Sequence, residues 1–578
     1  MLSPNYIYTI KNFDILIEIS GTRSKNIQLQ PIMTQRNFIL SFLILVCINT
    51  HAQKSSLSAP DKPKLVVGIV VDQMRYDYLF RFEEKYSEGG FKRLMRNGFV
   101  CRNANFNYVP THTAPGHATI FTGANPSVHG IIGNDWFDRY VKKEIYCVGD
   151  STVKPVGTTS ISGKMSPANL FSTTFSDELR LSTNFRSRVF GISLKDRGAI
   201  LPVGHTANAA FWHDPYLNNW VTSTYYMNEL PKWVSEFNVR KVSDSLLSNP
   251  WNTLLPIKNY TESGPDNTPY EGLYKGEKAP VFPHDLPALR AVESELIRKT
   301  PFGNTYTRMF AEELIQNEKL GKGGEVDVLT VSFSSTDYIG HMYGTNAIEL
   351  EDTYLRLDLD IEHFLNFLDK NIGTDNYLLF LTADHGAAHN PDFLRDNKIP
   401  ADFINDYGIS DSIRTFMNRT FSDTNFVLDI SSSAVYLNRP YIDSKKVSIN
   451  EVEEKCAAYI AGLPGVAAAL TSEELRNGLS RESHFRFYLN GFNPKRSADI
   501  LIQYRPGWLS WYNRTGTTHG VAYSYDTHVP LIFFGNGVAP GSTSYPVNMI
   551  DVAPTISTLL NIEFPNGNTG NPILQLIK

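Results

Sequence analysis

Thr113 lies in the most chemically loaded stretch of the chain, THTAPGHATIFTG over residues 111–123. It sets a hydroxyl at the start of an apolar, helix-like run, with Pro115 in the first turn and Gly116 letting a ligand approach the backbone. A hydroxyl at a helix start faces the positive end of the helix dipole, where anions bind. Alone, the stretch reads equally well as a turn into a helix capped by Thr113. Other residues give it a second meaning. Asp337 and His341 stand four apart in SSTDYIGHMYG, a spacing that puts both side chains on one face of a helical turn. Asp384 and His385 are adjacent in LTADHG, Asp72 ends an apolar run in VVDQMR, and His519 precedes a turn-forming glycine in GTTHG. Singly these are turn formers, caps or surface pairs. As a set they suit dications. Three protein ligands and an open position make a catalytic zinc site. Six such residues would supply two, and a two-metal site clamps the entering and leaving oxygens of an in-line displacement. A dication also lowers the pKa of a coordinated hydroxyl, which would turn Thr113 into an attacking group.

The elements that must position these residues are visible as short apolar runs. Lys64–Val71, Val189–Leu194, Val326–Phe333, Tyr377–Thr382 and Val529–Phe534 read as buried parallel strands, with helical patterns such as Glu349–Leu368 between them. In that helix Leu357, Ile361, Phe364 and Leu368 share one face. Strand and helix in alternation give an α/β fold: a mainly parallel central sheet sandwiched by helices. Asp72, Asp337 and Asp384–His385 each follow a strand, and ligand sites of open α/β sheets form at the carboxyl ends of strands. Two long interruptions stand apart. Residues 399–517 read as an inserted α+β cap with strand-like runs at Phe426–Leu437 and Asp499–Tyr504. Residues 206–300 are rich in Trp, Tyr, Pro and Asn, and such aromatic loops either wall a pocket or pack over the sheet.

The chain has 578 residues, 42% hydrophobic and 20% charged, with a net charge of −5, the profile of an ordinary globular protein. No basic face suggests nucleic acid. From Met33 the sequence reads MTQRNFILSFLILVCINTHAQ: a positive start, a short apolar run and a plausible cleavage site before Gln53. A secretory leader over 33–52 is therefore expected, placing the protein in the periplasm or outside the cell without stable membrane insertion. Residues 1–32 read as an extension from an upstream start codon, and 53–578 as the catalytic domain. Beyond Cys47 in the leader, the cysteines are Cys101, Cys147 and Cys456. Cys101 and Cys147 are candidates for a disulfide in an oxidising compartment. Cys456 reads as a core thiol sharing a helix face with Val452 and Ile460, behind a capping box of Ser448 and Glu451.

The order VVDQMR, THTAPGHATIFTG with PSVHGIIGN, SFSSTDYIGH, TADHG, THG resembles the alkaline phosphatase superfamily from about Lys64 to Asp551. SLKDRG at Ser193–Gly198 looks like the phosphate-irrepressible periplasmic alkaline phosphatases, monoesterases with a Thr nucleophile. The resemblance implies two zinc ions. Asp72, Asp384 and His385 would hold one, with Thr113 bound to it as nucleophile; Asp337, His341 and His519 would hold the other. It also implies that Asn134, Lys195 and Arg197 face the phosphoryl oxygens. Chemically that is apt: Arg offers a planar fork, Lys a point charge and Asn an amide donor. The expected activity is hydrolysis of small-molecule phosphomonoesters through a covalent phosphothreonine. His112 and His117 read as packing beside the nucleophile, and His129 as ordering the turn before Asn134.

Three enzyme alternatives share the motifs. A phosphodiesterase of the nucleotide pyrophosphatase kind uses the same metals, but the charges of Lys195 and Arg197 match a dianionic monoester better. A sulfatase needs a Cys or Ser followed by Pro and Arg, where this chain has Thr113, Pro115 and His117. Cofactor-free phosphoglycerate mutases act on cytosolic sugar phosphates, which an exported protein rarely meets. From a different class, a zinc-binding surface module without catalysis would not need the intact Thr113.

Overall fold

The computed structural model describes residues 62–578, apart from Ser294, Ser432 and residues 479–483. The extension expected over 1–32 and the leader over 33–52 lie outside the described residues.

Ten strands form the central sheet. Its middle consists of β1 (Leu65–Val71), β2 (Val189–Ser193), β3 (Ala209–Asp214), β4 (Asp327–Phe333) and β5 (Tyr377–Thr382). They lie in the spatial order β5–β1–β4–β2–β3, and every neighbouring pair is parallel. All residues of these strands are buried. Both faces are therefore covered, which is why near-continuous Val, Ile and Leu runs are tolerated. The run at Val529–Phe534 departs from expectation. It forms β6 (Leu531–Gly535), antiparallel to β5, with Leu531 opposite Thr382. The chain reaches this strand from the end of the sheet where β5 stops, so it can only run back.

Four helices carry or brace the polar edge of the sheet: α1 (Thr113–Thr122), α2 (Asp196–Val203), α3 (Ser335–Tyr343) and α4 (Ile348–Asn371). In α4 the expected stripe of Leu357, Ile361, Phe364 and Leu368 is fully buried. Helix α1 packs close to the sheet because β1 carries Gly68 there. A Cβ at Gly68 would meet Phe380 Cζ at 2.8 Å and Phe121 Cε1 at 3.2 Å. The missing side chain makes room for Phe121 of α1 against Phe380 of β5, a tilted ring pair 5.6 Å apart.

Between β5 and β6 the chain builds a second, four-stranded antiparallel sheet from Val427–Ser431, Ala434–Leu437, Ile500–Tyr504 and Val466–Thr471, in that spatial order. Ile413, Val435, Ile442, Val452, Cys456 and Ile460 form part of its own apolar core. The single run expected over 426–437 is two antiparallel strands, Val427–Ser431 and Ala434–Leu437. Cys456 is buried beside Val452 and Ile460 as expected. Ser448 does precede the helix Ile449–Ala461, but its side chain makes no capping bond. Glu451 instead takes Lys455 Nζ at 2.7 Å, one turn along. The candidate disulfide is also absent. Cys101, at the end of the sheet strand Phe99–Cys101, and Cys147, after the hairpin strand Lys143–Tyr146, are free and packed in apolar surroundings.

The segment at 206–300 is not the interruption expected: it opens with β3 and the antiparallel strand Asn219–Ser223 of the central sheet, and its later part is tied to α4. Trp212, Trp220, Trp251 and Tyr274 are fully buried. Trp220 stacks on Phe310 at 4.3 Å. Asp352 of α4 anchors the segment, accepting from Trp251 Nε1 at 2.7 Å, Tyr260 OH at 2.5 Å and Leu254 N at 2.6 Å. Among the described residues no helix is long and apolar enough to cross a membrane.

A second anchor is His284, whose Nδ1 lies 2.8 Å from Glu277 Oε1 and Nε2 3.3 Å from Glu349 Oε1. Burial works against charge on the ring, but the two carboxylates outweigh it and push the pKa up to about 9. A histidine pKa raised in the fold stabilises it below the ordinary value of 6.5, and that contribution is lost as pH rises through about 9. We therefore expect His284→Gln to lower stability by on the order of 2 kcal/mol near pH 6 in urea melts. The gap from the parent should narrow as pH approaches ~10.

Candidate active site

The order β5–β1–β4–β2 lays out the polar residues along one edge of the sheet. Asp384 and His385 follow β5, Asp72 follows β1, and α3 with Asp337 and His341 follows β4. Lys195 and Arg197 follow β2 at the start of α2. Thr113 arrives on α1, and His519 on the loop before β6. Residues far apart in sequence thus converge because parallel strands present their carboxyl ends together.

Three histidines share one arrangement. Nδ1 of His341 donates to Thr517 O at 2.8 Å, Nδ1 of His385 to Gly386 O at 2.9 Å, and Nδ1 of His519 to Thr111 O at 2.7 Å. A carbonyl accepts only, so each ring carries its proton on Nδ1 and leaves Nε2 as a bare lone pair. Those lone pairs face carboxylates. His341 Nε2 lies 3.2 Å and His519 Nε2 3.6 Å from Asp337 Oδ1. His385 Nε2 lies 3.6 Å from Asp72 Oδ1 and 3.7 Å from Asp384 Oδ2. Acceptor facing acceptor is repulsive unless a cation stands between. Burial and the neighbouring imidazoles push the His519 pKa well below its usual range, and burial lowers that of His385, so both rings stay neutral.

The carboxylates point the same way. Asp72, Asp337 and Asp384 are almost entirely buried. Among the described residues Asp72 Oδ1 and His385 Nε2 have no hydrogen-bond donor, Asp72 Oδ2 has only the Lys195 ammonium at 2.7 Å, and Asp384 Oδ2 faces His117 Nδ1 at 3.3 Å. Burial, and the charge of Asp384 beside it, raise the Asp72 pKa well above the carboxylate range. Ligand atoms of Asp337, His341 and His519 lie within 4.8 Å of one another, as do those of Asp72, Asp337 and His385. The residues present therefore fit dications. The second grouping differs from the expected set in taking Asp337 where Asp384 was assigned. Asp384 has one oxygen engaged by Gln73 N at 3.1 Å and keeps the other towards His385.

Lys195 is buried at the centre. Its Nζ reaches Asp337 Oδ2 at 2.6 Å, Asp72 Oδ2 at 2.7 Å and Thr113 Oγ1 at 3.4 Å. Burial opposes its charge, but the Asp337 and Asp72 carboxylates hold its pKa above the usual lysine range. Asn134 Oδ1 accepts from Ala114 N at 2.9 Å, tying it to the start of α1. Arg197 has a different partner: its Nη1 donates to Tyr146 OH at 3.0 Å, and Tyr146 OH in turn donates to Asp196.

Of four supporting residues, Gln73, Asp526 and Trp511 carried no usable sign in the sequence, whereas His117 reads there as supporting or packing beside the nucleophile. Gln73 adopts φ +66°, rare for a side-chain-bearing residue. That conformation lets its N–H reach Asp384 while its Nε2 donates to Asp337 Oδ1 at 2.7 Å. His117 donates from Nδ1 to Thr113 O at 2.8 Å and lies 3.3 Å from Asp384 Oδ2. Asp526 Oδ2 accepts from Gly520 N at 2.7 Å and Val521 N at 2.9 Å, fixing the loop that carries His519. Trp511 stacks on the His341 ring at 5.0 Å. As expected, His129 orders its turn, accepting from Ile131 N at 3.1 Å, and sits 3.0 Å from Thr119 Oγ1.

The chain matches a family model described as type I phosphodiesterase / nucleotide pyrophosphatase over residues 66–527. Alkaline phosphatase PafA of Elizabethkingia meningoseptica is 46% identical over 547 residues, 94% of this chain and 100% of that one. A crystal structure of wild-type alkaline phosphatase PafA, 46% identical, is similar with a TM-score of 0.87 and covers 90% of this chain and 100% of its own. Alkaline phosphatase PhoV of Synechococcus elongatus is 44% identical over 547 residues, 93% of this chain and 99% of that one. A protein of Myroides odoratus named calcium-transporting ATPase is 47% identical over 522 residues, 90% of this chain and 95% of its own.

The glycine of the opening motif has a steric explanation. A Cβ on Gly116 would lie 2.3 Å from Asp384 O and 2.8 Å from Asp384 Cβ, so α1 touches the backbone that carries Asp384 and His385. Gly116→Ala must push the two apart. Bound metal, measured by elemental analysis after dialysis, should fall for this variant, and kcat/KM should drop about 100-fold for a shift near 1 Å. Full metal content with full turnover would show that the contact does not set the site.

Proposed function

Because this chain belongs to the type I phosphodiesterase / nucleotide pyrophosphatase family, within the alkaline phosphatase superfamily, we propose that Thr113 is the nucleophile of a phosphate monoester hydrolase dependent on two dications, zinc by the donor set. The monoesterase activity itself is supported by likeness to alkaline phosphatases along almost the whole chain. One observation carries the site assignment: three histidines with Nδ1 committed to backbone carbonyls turn bare Nε2 atoms towards buried carboxylates, beside a buried hydroxyl. Asp72, Asp384 and His385 would hold one ion near Thr113, and Asp337, His341 and His519 the other. Such ions, when bound, lower the pKa of a coordinated hydroxyl and offset charge on departing oxygen.

The protein's own groups do the rest. Thr113 Oγ1 attacks phosphorus in line; its O–P bond forms as the ester P–O bond breaks, and the departing alkoxide takes up a proton. Water then attacks phosphorus, the threonine O–P bond breaks, and inorganic phosphate leaves with the Thr113 hydroxyl restored. The Lys195 ammonium, 3.4 Å from Thr113 Oγ1, stabilises the oxyanion before attack and the phosphoryl charge after it. Asn134 accepts with its Oδ1, so its NH2 donors are available to a phosphoryl oxygen. Arg197, oriented by Tyr146, supplies a planar fork for another. The N-terminal end of α1 adds a favourable dipole at the same point. Phosphoryl transfer leaves a protein mostly positioning and charge work, which is what these residues provide. The expected setting is the periplasm or the exterior, from the leader at 33–52.

Thr113→Ala should lower turnover of a simple aryl phosphate on the order of 10⁴-fold while zinc content stays at the parent's level. Undiminished turnover in that variant would remove Thr113 from the role. The family description also admits a diesterase. On protein reconstituted with zinc, phenyl phosphate should be cleaved at least ~10³-fold faster than methyl phenyl phosphate, and a chelator should abolish both rates. The reverse preference would establish the diesterase reading.

A further inference from the structure

A cavity of about 220 Å³ lies beside the candidate site, lined by His519 and by His112, the residue before Thr113. It lies between the second sheet and the loop that carries His519, and its lining includes His112, His519, Tyr488, Tyr504, Trp508 and Trp511. Asn134, Lys195 and Arg197 do not line it. We propose that this cavity is a leaving-group subsite for a planar ring, which makes aryl, arylalkyl and nucleoside monoesters better substrates than monoesters of small aliphatic alcohols. The inference rests on the monoesterase reading and specifies its substrate class.

Direction comes from the in-line geometry. Attack by Thr113 drives the leaving oxygen away from it, towards the set Asp337, His341 and His519. Of that set His519 stands in the cavity wall, and Trp511, which stacks on His341, lines the cavity too. Tyr488 and Tyr504 of the lining are buried, but its two tryptophans are placed differently from others in the fold. Trp212, Trp220 and Trp251 are fully buried, whereas Trp508 and Trp511 are only partly so. Apolar surface kept open beside a polar centre marks a binding surface. Trp511 is held firmly: its ring stacks on His341 at 5.0 Å and 19°, and its Nε1 donates to Thr515 O at 2.9 Å. A fixed indole face presents a stacking platform at little entropic cost.

Size restricts the occupant. The volume is below the roughly 300–1,000 Å³ of drug-sized ligand pockets, so it suits one ring system. A second cavity of about 560 Å³ shares Val109, Pro110, His112, Ser433 and Leu501 with the first. Substituents on the ring can extend into it.

The test compares 2-phenylethyl phosphate with n-propyl phosphate, whose alcohols are of similar basicity, so that bond chemistry does not bias the result. The parent protein should show kcat/KM about tenfold higher for the phenylethyl ester. In Trp508→Ala and Trp511→Ala the ratio should fall to about twofold or less. Damage to the metal centre, for example through the Trp511 contact with His341, lowers both rates alike and cancels in the ratio. Trp508 supplies the second, independent reading. A ratio near one in the parent, or an unchanged ratio in both variants, overturns the proposal. Hydrolysis of neither ester overturns the monoesterase reading, and this one with it.

Discussion

Three carboxylates cannot share a buried space without cations to offset them, and the rest of this molecule is arranged around that constraint. Asp72, Asp337 and Asp384 are shut away from water, and burying an ionised group costs several kcal/mol unless it is compensated. Lys195 supplies one positive charge, shared between Asp72 and Asp337. The remaining deficit is where the histidines aim their lone pairs. Hydrogen bonds to backbone carbonyls fix those rings in place, so their capacity to bind is built into the fold and does not depend on a ligand to arrange it. Such anchoring of a ligand ring through its other nitrogen is a common device for tuning metal affinity.

The device demands accuracy, and the accuracy comes from stiff elements. Five parallel strands, each buried along its length, hold their ends in a fixed lateral order. Helix α1 can carry the hydroxyl to that edge only because two side chains are missing: one at Gly68, which lets Phe121 sink onto the sheet, and one at Gly116, which lets the helix touch the Asp384 backbone. Gln73 adopts a strained backbone conformation to bridge two of the acids. Gly116 and Gln73 both sit against the carboxylates, where a working site has to be held to within about half an ångström.

The strands, the long helix α4 and the convergence of the candidate metal ligands at one sheet edge were legible in the sequence because their signals are local. An apolar run of six residues, a four-residue spacing and an acid after a strand need no knowledge of the rest of the chain. What was not legible depends on partners distant in sequence. The direction of β6 is set by where the preceding insertion ends. Between the two strands within 426–437 the sequence has only serines, which are weak turn signals beside glycine or proline. The aromatic segment at 206–300 packs where it does because Asp352, far along the chain, receives Trp251 and Tyr260. Ser448 and Glu451 had capping-box spacing, but an exposed glutamate has Lys455 as a competing partner. Gln73, Asp526 and Trp511 act only through neighbours that the fold brings to them.

The loop that delivers His519 comes after the whole second sheet and immediately precedes β6. The set of candidate ligands therefore closes only when the chain on both sides of the second sheet is folded together: Asp72, Asp337, His341, Asp384 and His385 come from before it and His519 from after it. A change that loosens the second sheet from the central one would be felt first as a displaced imidazole.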